Sequence, residues 1–124
     1  MRLGEAQRLF ARRLPRLIDY INDNGYECTL GDAYRDPRSH GKMGHTKVYG
    51  QPKSAHKQRL AIDLNLYLDG VYLKTTEAHR PFGEYWISLD PENHEWGGDW
   101  NADGRVDPND KDGNHYSFRY GGIA

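Results

Sequence analysis

Between Glu5 and Asn24 the apolar residues Leu9, Phe10, Leu14, Leu17, Ile18 and Ile21 recur at three- and four-residue spacing. That repeat keeps one face of an α-helix apolar, and Asn24-Gly25 supplies a stop. Pro15 interrupts the pattern and predicts a kink or a division into two shorter helices. Tyr26 to about Ala33 suits a short strand. Leu60-Ala61-Ile62-Asp63-Leu64-Asn65-Leu66-Tyr67-Leu68 alternates apolar and other positions throughout, the signature of a half-buried strand. Asp69-Gly70 then predicts a hairpin turn into Val71-Tyr72-Leu73. Residues 77 to 89 read as partly helical, Pro91 to Asn114 as turn-rich and acidic, and His115 to Tyr120 as a last alternating strand. With no internal repeat and no linker, residues 1–124 are expected to form one α+β domain. Its architecture would be a small antiparallel sheet with the N-terminal helix packed on it.

Asp36 to Lys53 is rich in Gly, Pro, Lys and His without any periodicity, and it reads as a long functional loop. Composition sharpens this picture in three ways. Hydrophobic residues make up 36% and mean hydropathy is -0.97, low values for a globular chain, yet aromatics at 12% supply enough buried area for a small core. A net charge of -1 gives no case for a nucleic-acid partner. Cys28 is the only cysteine, so no intrachain disulfide or cysteine-based zinc knuckle can form, and any metal site must use His and carboxylate. No apolar run is long enough to span a bilayer. Met1 to Glu5 lacks the apolar core of a secretory signal, so the chain is expected in the cytoplasm where it is made, with no stable membrane insertion. Arg2, Arg8, Arg12, Arg13 and Arg16 make the outer face of the first helix basic. A solvated face explains them most simply, and attraction to anionic envelope polymers or lipids is the sharper alternative.

Alternation also suggests where chemistry lies. In the strand at 60–68 the leucines and Ile62 share the core face, so Asp63 projects from the other, beside Ala61 and Asn65. In the last strand Tyr116, Phe118 and Tyr120 share one face, which puts His115 on the other with Ser117 and Arg119. Adjacent strands of this kind would bring Asp63 and His115 to one side of a sheet, with His56 able to swing over them from the loop. Two imidazoles and a carboxylate, with a fourth position left to water, form a catalytic zinc pattern. A chain with six histidines offers many such trios, however, and spacing alone singles out none.

Ser54-Ala55-His56-Lys57-Gln58-Arg59-Leu60-Ala61-Ile62-Asp63 resembles the S-x-H-x-x-G-x-A-x-D motif of the zinc D-Ala-D-Ala carboxypeptidase family. Asp112-Gly113-Asn114-His115 resembles that family's second motif, and Gly31-Asp32-Ala33-Tyr34-Arg35 the segment bearing its substrate-facing arginine. The resemblance runs from the first helix to about Phe118 and is closest to phage endolysins acting as L-alanyl-D-glutamate peptidases. Arg59 stands where the broader family has Gly. The resemblance implies a fold of the hedgehog and DD-peptidase kind and a zinc ion held by His56, Asp63 and His115. It implies further that Asp112 serves as general base and then general acid, and that Arg35 stabilises an oxyanion or holds a substrate carboxylate. Ser54 would orient substrate and His45 would line its groove. Bacterial peptidoglycan is the implied partner of a monomeric lysin, held in the host cytoplasm until lysis and acting on the wall from the periplasm. A D-Ala-D-Ala carboxypeptidase of the same fold is the alternative enzyme. A calcium-ordered wall-binding module without catalysis is the alternative from another class.

A second metal site is suggested by the run from Asp99 to Asp110. Oxygen donors Asp99, Asn101, Asp103, Asp107 and Asp110 occupy positions 1, 3, 5, 9 and 12 of a calcium loop. Gly104 stands at the turn position, Arg105 at the position that ligates through its backbone carbonyl, and Val106 at the apolar position. This calcium-loop insertion, at about 97–112, leads into Asp112 and His115, so bound calcium is expected to order the active site. His40, His79 and His94 are expected at loops or the surface, and Cys28 as a small buried residue. Trp96 and Trp100 are expected either to wall the cleft or to pack the loop.

Overall fold

A computed structural model describes residues 1–31, 55–99 and 112–124. Helix α1 (Leu3–Asp23) comes first and runs through Pro15 without division. Then follow β1 (Glu27–Leu30), a 3-10 turn at Ala55–Gln58, β2 (Ala61–Leu68) and β3 (Val71–Leu73). A second 3-10 turn at Glu77–His79 leads into α2 (Arg80–Leu89), β4 (His94–Gly97) and β5 (Asp112–Phe118). All strand pairs are antiparallel, in the order β1-β2-β5-β4, with β3 also on β2. The chain is thus α+β, an N-terminal helix packed on a small antiparallel sheet.

β2 is the organising strand. β1 pairs with its residues 64–67, while β5 and β3 pair with residues 61–63 and 66–68. Because Leu66 and Tyr67 face both β1 and β3, those two strands lie on opposite edges, and β5 shares an edge with β3. The hairpin closes as its sequence requires: Asp69 and Gly70 both take positive φ, 51° and 78°, the pair of values a tight two-residue turn needs. Leu60, Leu64 and Leu66 are fully buried and Ile62 nearly so, which confirms the core face read from alternation.

Against that face pack Ala6, Phe10, Leu17 and Ile21 of α1 and Phe82 and Trp86 of α2. The Trp86 ring meets Phe10 edge-on at 5.7 Å, and its Nε1–H donates to the Ser117 carbonyl at 3.0 Å. Burying each such side chain contributes roughly 1.5–3 kcal/mol. Arg13 on α1 pairs with Asp90 at 2.5 Å, tying the helix to the α2–β4 connection.

Three elements differ from the sequence reading. β4 lies within the stretch read as turns, because its partner β5 supplies the hydrogen bonds that its Gly-rich, acidic sequence does not advertise. β5 starts at Asp112, not His115, and ends at Phe118, with Tyr120 forming a separate bridge to Ile123. The region at 77–89 is ordered throughout, as a 3-10 turn followed by a helix with Pro81 in its first turn, where a missing N–H costs nothing.

Candidate metal centre

Asp63 and His115 stand directly opposite each other on β2 and β5, with Ala61 and Ser117 paired two residues further along the same face. Their neighbours Ile62 and Tyr116 point into the core. The Asp63 backbone is gripped from the β1 side as well, since the Gly31 N–H donates to its carbonyl at 2.7 Å. A Cβ at position 31 would sit 2.9 Å from that oxygen, so glycine permits the approach.

His56 reaches the same place from the 3-10 turn. The turn ends with the Leu60 N–H donating to the Ala55 carbonyl (2.9 Å) and the Arg59 N–H to the His56 carbonyl (3.1 Å). These are the two hydrogen bonds of a Schellman closure, which demands a left-handed residue at the position of Arg59. Arg59 has φ 57°. The departure from Gly noted in the sequence therefore falls where the backbone most favours glycine. The closure turns the chain into β2 and leaves His56 buried over the Asp63–His115 pair.

Three atoms converge there. His56 Nε2 lies 3.2 Å from His115 Nδ1 and 3.3 Å from Asp63 Oδ1, and His115 Nδ1 lies 3.5 Å from the same oxygen. A tetrahedral ion with bonds of about 2.0–2.2 Å sets its ligand atoms roughly 3.3–3.5 Å apart. The triangle thus has the dimensions of one face of such a coordination sphere, and His56, Asp63 and His115 could hold a metal ion. Burial alone would raise the Asp63 pKa, but hydrogen bonds and charge from His115 and His56 more than offset it, lowering the pKa to about 2. The carboxylate is therefore ionised, as a ligand must be.

Asp112 heads β5 and is exposed. In a regular strand residues three apart point to opposite faces. Here the pairing with β4 slips, Trp96 facing Tyr116 while the next residue, Gly97, faces Asp112. The slip puts Gly113, Asn114 and His115 in an irregular stretch, so simple alternation does not separate Asp112 from His115. Asp99 is buried at 7% exposure, and its N–H donates to the Trp96 carbonyl at 3.1 Å. Arg35, His45 and Ser54, the remaining calcium-loop residues Asn101, Asp103, Arg105, Asp107 and Asp110, and also His40 and Trp100, lie outside the described residues.

Two expectations are corrected. His79 and His94 are buried, not surface residues. His79 Nδ1 lies 2.8 Å from the Tyr116 hydroxyl. His94 stacks on Trp86 at 3.8 Å, and its Nδ1–H donates to the Trp86 carbonyl at 2.7 Å. Their burial could not be read from alternation, because one sits in a 3-10 turn and the other on the unrecognised β4. Cys28 is half-buried rather than buried, and burial raises its thiol pKa. Trp96 is a packing residue, fully buried, whose Nε1–H donates to the Gly113 carbonyl at 2.6 Å. Compared with protein-family profiles and with curated proteins, the chain matches none.

Proposed function

We propose that the chain is a zinc metallopeptidase of bacterial peptidoglycan, cutting between L-Ala and D-Glu of the stem peptide as a phage endolysin does. The observation that carries this reading is the convergence of His56 Nε2, Asp63 Oδ1 and His115 Nδ1 within 3.2–3.5 Å of one another. Two imidazoles and one carboxylate suit zinc, and three protein ligands leave a coordination position open for catalysis. Calcium, which takes six to eight oxygens, is a poor match to these donors. The motifs around the trio supply the substrate class.

Zinc, when bound, supplies Lewis acidity toward a peptide carbonyl and makes water a stronger acid. Asp63, ionised and shared between two imidazoles, holds both rings in place. Asp112 would accept a proton from water and return it to the leaving amine. Arg35 would stabilise the developing oxyanion, while Ser54 and His45 would orient the peptide. Calcium in the loop from Asp99 to Asp110 would order the chain that leads into Asp112 and His115. Bound calcium would neutralise a cluster of carboxylates that otherwise repel one another.

The test is peptidoglycan digestion by chelator-treated protein reloaded with zinc, followed by mass spectrometry of the fragments. Cleavage between L-Ala and D-Glu that disappears in His56→Ala is expected. Release of free D-Ala would identify a carboxypeptidase instead, and stoichiometric zinc without any cleavage would leave a wall-binding module. Repeating the digestion with and without calcium tests the ordering role of the loop.

A further inference from the structure

Between the end of β3 and the start of β5 lies a cavity lined by Leu73, Lys74, Thr75, Thr76, His79 and Asn114. One wall is the connection that leaves β3, and the other is the irregular start of β5, so Asn114 is next in sequence to the ligand His115. The two walls are locked together. A Cβ on Gly113 would sit 2.5 Å from the Thr76 Cα, so only glycine lets them come this close. From behind, Trp96 Nε1–H holds the Gly113 carbonyl at 2.6 Å.

Among the described residues, the lining carries one cationic side chain and no carboxylate. Lys74 is exposed and forms no ion pair among the described residues. Thr75 Oγ1 accepts from the Ala78 N–H at 3.2 Å, which leaves its hydroxyl hydrogen to donate elsewhere. The Asn114 amide adds two more donors. His79 is neutral, its pKa lowered to about 4 by burial. Its Nδ1 lies 2.8 Å from the buried Tyr116 hydroxyl. One ammonium among neutral polar groups, with no carboxylate in the described lining, is the composition of a carboxylate subsite.

We propose that this cavity binds a free carboxylate of the substrate peptide, with Lys74 as the residue that selects an acidic peptide over a neutral one. The proposal rests on the peptidase reading for its choice of peptide, and its test separates the two. Affinity is measured calorimetrically for the zinc-loaded full chain, using a soluble acidic stem peptide and the same peptide with its free carboxylates converted to carboxamides. The acidic peptide should bind about tenfold more tightly, one charge-assisted hydrogen bond's worth of discrimination. Lys74→Ala and Lys74→Gln should abolish that preference, while Lys74→Arg retains most of it. Lys74 is exposed, so these variants keep the fold, and unchanged zinc content verifies that.

Equal affinity of the intact chain for the two peptides, or a preference that survives in Lys74→Ala, overturns the subsite. Fragment analysis of the same mixtures reports on cleavage separately. Lys74-dependent discrimination without cleavage would sink the peptidase reading and uphold the subsite.

Discussion

Among the described residues, four buried histidines divide into two pairs that solve opposite problems. His79 and His94 lie in the packed half of the molecule, where each finds one neutral oxygen, the Tyr116 hydroxyl or the Trp86 carbonyl. Burial lowers both pKa values to about 4; for His94 the hydrogen bond to Trp86 works against that shift, as does Asp90, while Arg13 adds to it. His56 and His115 lie at 1% and 8% exposure, so burial does not distinguish them from the first pair. What distinguishes them is a shared carboxylate: both aim a ring nitrogen at Asp63 Oδ1 and at each other. Histidines in the first pair act as neutral wedges with a polar edge. The second pair and Asp63 bring three potential ligand atoms to one point, where they could hold a metal ion. Convergence, and not burial, marks the residues that could hold a metal ion.

Removing the carboxylate should break the comparison most severely. Asp63→Ala is expected to abolish zinc retention and lower peptidoglycan turnover by more than the roughly 10–100-fold typical of losing a residue that merely supports a ligand. Metal analysis after gel filtration, alongside a lysis assay, checks this. His94→Gln should leave both readouts near normal.

Acid should separate the pairs next. His79 and His94 have folded pKa values of about 4 against an unfolded value near 6.5, so the unfolded chain binds their protons first. Their contribution is complete above about pH 6.5 and is lost as pH falls toward 4, on the order of 3 kcal/mol for each. Asp63, folded pKa about 2 against 3.8, adds stability that is lost only as pH falls below its unfolded value toward 2. Urea midpoints measured in chelator from pH 8 down to pH 3 should show a steep loss between 6.5 and 4. His94→Gln should flatten that segment, and a flat profile in the parent chain would refute the assignment of neutral core histidines.

A change confined to the packed half should cost stability without touching metal. Trp86→Phe removes the Nε1–H that reaches the Ser117 carbonyl and the wider ring under His94. A loss of about 2 kcal/mol is expected in denaturant titration, with zinc stoichiometry unchanged. The smallest effect should come from the turn that presents His56. Arg59→Gly relieves a left-handed arginine, and stability should rise by about 1 kcal/mol or less with zinc affinity maintained. A fall in stability would show that contacts of the arginine side chain outweigh its backbone strain.

Much of this organisation was legible in the chain. Alternation from Leu60 to Leu68 identified the core face of β2 and placed Asp63 opposite it. Spacing in the first helix found Phe10, Leu17 and Ile21, which are buried, with Leu9, Leu14 and Ile18 half-buried beside them, and Asp69-Gly70 announced the hairpin. The stretch His94-Glu95-Trp96-Gly97 was illegible, because a strand with one aromatic between acidic and glycine residues acquires its conformation from β5. The same partner creates the register slip at Gly97 and Asp112, which no periodicity could disclose. Nor could sequence tell that His79 and His94 are core, since one sits in a 3-10 turn and the other on the short β4.

By itself, then, the sequence determined local preferences: which residues share a face, where a turn can close, and which side chains are able to ligate. Tertiary structure alone decided that Asp63 faces His115 in register and that a left-handed Arg59 lowers His56 onto them. It also decided that Lys74 and Asn114 line one cavity. Periodicity is a property of one element, whereas a binding site is a distance between elements, and only packing sets that distance.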